Sequence, residues 1–268
     1  MKAAYLLCLI AIMFSCKKDT NTGPPLPVNG RKTQRLKDIV VPSLPSPYYH
    51  FEYSDSGYIT RLGFADAFFD YTVHYENKRV SRLININNDQ ELFYQYEDGR
   101  VSVIHQRDVL SGVKSMRYSC RYYPNGLLKE ILWSKFFAGR SDSVGVRKVI
   151  LIYNADGNLA EFDDFRVNPA TEELLWSQTT EILEYDKQIN VDDFSLLKDT
   201  FEDVLLLPQV RLFKNNPLRL KTSSQQNDFL YVYRYDFVNK LPVRKHLVMT
   251  QTRGGAGEMR STTEFSYY

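Results

Sequence analysis

Three cysteines, two tryptophans and four histidines are all that this 268-residue chain contains of those types, and each scarcity removes a class of function. Three cysteines cannot supply the bridges of a disulfide-stapled miniature scaffold or a four-thiolate metal site. The histidines are His50, His74, His105 and His246, and no two lie close enough to form a helical ligand pair. The His-Glu-x-x-His zinc signature is absent, as are the Gly-x-Ser-x-Gly nucleophile elbow and any glycine-rich phosphate loop ending in Lys-Ser or Lys-Thr. No cofactor is expected. Neither sign of charge dominates: 34 Lys and Arg face 32 Asp and Glu, for a net charge of +2. That balance gives no electrostatic footprint for nucleic acid. The uncharged apolar run at residues 3–15 is too short to span a bilayer as a helix.

What is present begins with that run. Lys2 precedes it, which reads as a secretory leader over residues 1–15. Ser15-Cys16 followed by Lys17-Lys18-Asp19 resembles the lipobox of bacterial lipoproteins, in which the cysteine is lipidated and becomes the new N-terminus. The resemblance implies a lipid on Cys16, a membrane as partner through that lipid, and a place in the cell envelope at the outer membrane. With Cys8 in the leader and Cys16 acylated, Cys120 is left alone between strand residues, as a buried thiol. Residues 16–47 hold Pro24, Pro25, Pro27, Pro42, Pro45 and Pro47 among Thr, Asn, Gly and Ser, and read as a tether.

Residues 48–268 repeat one pattern: an aromatic-rich strand, a short polar turn, and a second strand of apolar residues mixed with polar ones. It is clearest at Tyr75-Glu76-Asn77-Lys78-Arg79-Val80, Tyr96-Glu97-Asp98-Gly99-Arg100-Val101 and Tyr153-Asn154-Ala155-Asp156-Gly157-Asn158-Leu159. Asn-Lys, Asp-Gly and Asn-Gly pairs tolerate the positive φ that tight hairpin turns require. Anchor tyrosines fall at 53, 75, 96, 122, 153, 185 and 235. Chained hairpins predict an all-β fold, an antiparallel meander of successive hairpins in a twisted or curled sheet. The longest interval, 185 to 235, contains Phe194, Leu197, Phe201, Val204 and Leu205 at helical spacing, so one short helix is expected near 193–206, packed on the sheet.

Candidate chemistry is sparse. Asp163-Asp164, Asp192-Asp193 and Glu172-Glu173 are paired carboxylates, but neighbours along a strand point to opposite faces and cannot flank one glycosidic bond. Asn154-Ala155-Asp156-Gly157-Asn158 offers alternating oxygens without the distal Glu or flanking helices of a calcium loop, and reads as a turn. Gly254-Gly255-Ala256-Gly257 reads as a hairpin loop. Trp133, Trp176 and the strand tyrosines are the candidate aromatic surface for a glycan or peptide, against the alternative of core and cross-strand pairing.

The aromatic, turn, glycine, apolar succession at Tyr96–Val101 and Tyr153–Leu159 resembles the YD repeats of RHS-type proteins, and the resemblance implies that the curled sheet is RHS-like. With the Cys16 start, the Pro-rich segment and Asn215-Asn216-Pro217-Leu218, the chain resembles uncharacterised Bacteroidetes-type envelope lipoproteins carrying such repeats. The reading that follows is a non-catalytic, lipid-anchored envelope protein that binds a glycan or a partner protein. A scaffold component pairing through its edge strands, or a glycan hydrolase, is the alternative.

Overall fold

The computed structural model describes residues 35–138, 142–192, 206–208 and 210–268. The described residues form sixteen strands: β1 (Leu36–Val40), β2 (Tyr49–Tyr53), β3 (Ile59–Phe64), β4 (Phe69–Glu76), β5 (Arg79–Asn85), β6 (Gln90–Glu97), β7 (Arg100–Asp108), β8 (Lys114–Tyr122), β9 (Leu128–Lys135), β10 (Val144–Tyr153), β11 (Leu159–Val167), β12 (Leu174–Ile189), β13 (Asn215–Ser224), β14 (Asp228–Val238), β15 (Leu241–Arg253) and β16 (Gly257–Tyr267). Each pairs antiparallel with its sequence neighbours, and β1 pairs with both β2 and β16. The sheet therefore closes on itself as a barrel. An open or curled RHS-like sheet is overturned by this closure. Ile39 lies opposite Phe265 and Val40 opposite Glu264, so the closing strand comes from within the Pro-rich 16–47 stretch. No helix occurs among the described residues; the span 193–206 expected to be helical lies outside them except for Leu206, which is buried in non-helical chain. Cys16 and the leader also lie outside them.

The repeat is a hairpin with a fixed internal irregularity. Asn77-Lys78, Asp98-Gly99 and Asn239-Lys240 have positive φ at both positions, from 48° to 79°, the geometry whose twist matches that of the strands it joins. Just past the turn, Tyr75 pairs with Val80 and His74 with Arg82, leaving Ser81 as the extra residue of a β-bulge. Tyr96 repeats this with Val101 and leaves Ser102; Tyr53, Tyr122 and Tyr153 sit at the same register shift. The bulge moves two residues three apart onto the same face. Val80 and Leu83, Val101 and Ile104, Leu128 and Ile131, and Leu159 and Phe162 are all buried in this way.

Six of the anchor tyrosines also tie their hairpins to an earlier strand. Tyr75 donates its hydroxyl to the Ile59 carbonyl at 2.9 Å, Tyr96 to Val80 at 2.8 Å, Tyr122 to Val101 at 2.9 Å and Tyr235 to Pro217 at 3.1 Å. Tyr185 bonds Leu159 in the same sense, Tyr53 bonds Leu36 at 2.9 Å, and Tyr267 continues the series to Pro242 at 2.6 Å. These bonds run round one end of the barrel. Arg79 stacks over Tyr96 and Arg100 over Tyr122, each from the turn of the preceding hairpin.

The inward face is largely apolar. Phe51, Leu62, Tyr71, Tyr94, Tyr118 and Trp133 fill the interior, joined by Leu206, Leu207, Leu212 and Phe213 from the β12–β13 connection. Cys120 belongs to this core as a free thiol that burial pushes up to about 12. Two inward ion pairs break the rule, Arg147 with Asp164 and Lys245 with Asp192. Lys245, three residues after Pro242, stands where the other units place Leu, Ile or Phe, and its ammonium is paired with Asp192 from the same connection. Tyr233 and Phe265 pack on that lysine, 5.7 and 5.9 Å from the ammonium.

Candidate functional site

The outward face is built from ion pairs. Arg61 bridges Asp70 and Glu52; Glu91 sits between Arg82 and Arg107; Glu130 pairs with Arg121 at 3.3 Å and Lys148 at 3.0 Å. His50 and Asp38 are 2.6 Å apart, and His246 and Asp236 2.7 Å. Exposed apolar residues stand among these pairs, as a run at Leu174, Leu175 and Trp176, a pair at Phe237 and Val238, and singly at Ile152 opposite Glu161. A barrel crossing a bilayer carries an outward apolar band flanked by aromatic girdles, whereas ion pairs recur round this wall. Sixteen strands are also enough to enclose a water channel. Here that interior is occupied by side chains. No helix among the described residues is long and apolar enough to cross a membrane, which says nothing of crossing by strands.

Two concave features are of similar size: one of about 660 Å³ at the tyrosine end, lined by Arg35, His50, Glu52, Tyr53, Ser54, Asp55 and Tyr268, and one at the opposite end. The latter, a mouth of about 720 Å³, is lined by Phe68, Phe69, Asn87, Asn88, Gln90, Gln106, Ser115, Met116 and Lys135. Four consecutive connections, from β3–β4 to β9–β10, surround it. Phe68 is 71% exposed and its ring stands edge-on to Phe69, with centroids 4.9 Å apart. Its presentation depends on Ala65, Asp66 and Ala67, which adopt φ of 52°, 55° and 61°, a conformation that side chains with a Cβ enter at a cost of about 1 kcal/mol each. Gln106 donates to the Gln90 side-chain oxygen at 2.9 Å and accepts from Tyr118 at 3.4 Å. The Asn88 side chain accepts from the Gln90 amide at 3.0 Å. The carboxamides are thus oriented by the protein before any ligand arrives. None of the lining residues is a carboxylate, and Lys135 is the one cation among them.

The residues singled out from sequence go elsewhere. Trp133 is 3% exposed inside the barrel, with the Arg147 guanidinium 4.9 Å over its ring and Tyr118 edge-on at 6.2 Å. Trp176 is 37% exposed on the wall and donates to Thr179 at 3.0 Å. The two indoles are not brought together. Asp164 faces inward and receives Arg147 at 2.8 and 2.9 Å, whereas Asp163 faces outward to Thr179. The Asn154–Asn158 oxygens are used within the fold: Asn154 caps the Asn158 amide at 3.0 Å, and Asn158 accepts from the Lys214 and Asn215 amides. His74 is exposed. His105 is buried, and burial with nearby Lys114, Arg117 and Arg107 lowers it to about 4. Among the described residues no group of three or more His, Cys, Asp or Glu is placed to hold a metal ion.

Sequence reasoning missed the mouth because its polar groups come from separate connections and strand ends, with no spacing to mark them. One signal was available. Phe68, Ile86 and Leu110 are apolar residues at turn positions, where the tyrosine-side tight turns have polar residues at their centres.

No family model matches the chain, and no curated protein sequence matches it. Solved structures do. A porin-like protein from Bacteroides vulgatus ATCC 8482 superposes with a TM-score of 0.58 at 16% identity, covering 87% of this chain and 99% of that one. A porin-like protein from Bacteroides uniformis ATCC 8492 gives a TM-score of 0.58 at 13% identity, over 82% of this chain and 90% of that one. At such identity the likeness is one of fold. The resemblance to YD-repeat envelope lipoproteins is overturned with it: the hairpin units are real, but they build a porin-like closed barrel.

Proposed function

We propose that the protein is a non-catalytic cell-envelope lipoprotein, held at the outer membrane by a lipid on Cys16, whose barrel stands in water and binds a glycan in its mouth. The observation that carries the reading is the chemistry of that cavity: the carboxamides of Asn87, Asn88, Gln90 and Gln106 beside the exposed Phe68 ring. Carboxamides offer donors and acceptors together, as sugar hydroxyls do, and a phenyl face offers an apolar platform. The scaffold alternative required an unpaired sheet edge, and the β1–β16 ladder occupies both edges.

Titration calorimetry with a panel of oligosaccharides tests this. Binding by the wild type is expected to weaken at least tenfold, about 1.4 kcal/mol, in Phe68→Ala and in Gln106→Ala. Absence of binding to every glycan, or equal binding by both variants, would refute the proposal.

A further inference from the structure

The two ends of the barrel differ in chemistry. At the tyrosine end the tight turns are Ser54–Gly57, Asn77-Lys78, Asp98-Gly99, Asn125-Gly126, Asp156-Gly157 and Asn239-Lys240, with polar residues at their centres, and exposed apolar residues there, such as Ile189 and Val238, stand on strand ends and not on the turns. At the mouth, five successive connections each lift an apolar side chain into water: Leu44, Phe68, Ile86, Leu110 with Val113, and Phe137. Leu110 is 82% exposed and Val113 65%.

These tips form one continuous arc. The Ala65 and Asp66 amides donate to the Tyr48 and Pro47 carbonyls at 2.9 and 3.0 Å; Asn87 donates to Ala67; the Val109 amide donates to Asp89 at 2.6 Å; and the Phe136 amide donates to Ser115 at 2.9 Å. Each connection is thereby fastened to the next. Exposed apolar side chains held on successive linked connections are the kind of feature that marks an interaction surface.

The composition of the tips and the length of the leading chain identify what covers it. Protein interfaces concentrate their energy in Trp, Tyr and Arg, with Leu and Val under-represented; the arc presents Leu, Ile, Val and Phe. Both signs of charge flank it, Asp66, Asp89 and Asp108 against Lys114 and Lys135, so no ionic partner is indicated. Eighteen residues separate Cys16 from Arg35, whose guanidinium is fixed to the Ser54 carbonyl at 2.9 Å at the polar end. Extended, such a length reaches about 60 Å, twice the roughly 30 Å of a nine-residue strand. A lipid on Cys16 can therefore share a bilayer with the opposite, apolar end.

We propose that this arc is a bilayer-docking surface: the tips of the five connections enter the interfacial layer of a lipid bilayer and turn the mouth toward the head groups. The inference does not depend on what the mouth binds.

Flotation of the mature-length chain carrying Cys16→Ser, which has no lipid of its own, with phosphatidylcholine vesicles tests it. The chain is expected to float with the vesicles, and to do so equally at about 0.5 M salt because the contact is apolar. Leu110→Asp combined with Val113→Asp should lower partitioning at least tenfold, and Phe68→Ser should lower it too, with circular dichroism and melting unchanged. Leu183→Asp, a charge placed on the wall, should leave partitioning as it was. A parent chain that stays in the lipid-free fraction would overturn the proposal. So would equal loss on Leu183→Asp, or self-association abolished by Leu110→Asp without vesicle binding, which would assign the arc to a second copy.

Discussion

Tyr96 fills the edge of the core with its ring, donates its hydroxyl to Val80 and receives Arg79 on its face. Removing only the hydroxyl leaves the Val80 carbonyl without that donor, so Tyr96→Phe should cost about 1 kcal/mol in urea unfolding. Tyr96→Ala also empties part of the core and should cost about 3 kcal/mol or more. His105 gives a pH signature at the same scale. Its ordinary value is 6.5 and its folded value about 4, so the unfolded chain binds the proton more readily between the two. Its contribution is fully present above pH 6.5 and is lost as the pH falls toward 4; the loss is on the order of 2 kcal/mol. Melting at pH 7 and pH 4.5 should show a smaller difference in His105→Gln than in the wild type. An equal difference would mean that other groups carry the dependence.

The hairpin is the element that repeats, and its turn and its bulge were unequally visible in the sequence. Asn77-Lys78 and Asp98-Gly99 announced their turns because few residue pairs accept two positive φ values in succession. Lys78→Gly should stabilise the barrel by about 0.5 kcal/mol, the relief of a side chain from left-handed backbone exceeding the added chain entropy. The bulges were hidden, since an extra Ser81 or Ser102 has no composition of its own. It left only the three-residue spacing of Val80 and Leu83 and of Val101 and Ile104, which by simple alternation face opposite ways. The same limit misled the tryptophans: an indole on a strand reads as a platform or as core depending on a parity that one bulge reverses. Lys245 shows the pairing between elements. Lys245→Met alone strands Asp192 as a buried charge and should cost about 3 kcal/mol in urea unfolding. Adding Asp192→Asn should recover most of that loss, whereas additive losses would show that the two residues do not act as a pair.

For the molecule as a whole, the all-β class and the meander order followed from local signals, but closure did not. Pairing Leu36 with Tyr267 joins the two ends of the folded chain, and no local pattern encodes a contact at that separation. The prolines around β1 disguised it further, because they match a tether in composition and a strand of five residues is too short to stand out. Closure in turn converts a one-sided sheet into a body with an inside and an outside, and the side taken by the apolar residues decides its solvent. Inward Phe51, Leu83, Ile104 and Tyr118, against outward Arg61, Glu91, Arg107 and Glu130, describe a filled barrel with an ion-paired outer wall, which under the function proposed above stands in water. The most direct test is to purify the mature-length Cys16→Ser chain without detergent and then add it to a planar lipid bilayer under voltage. The account predicts a folded, monodisperse β protein in aqueous buffer that produces no ion conductance; a chain that stays folded only in detergent and opens conducting steps in the bilayer would contradict it.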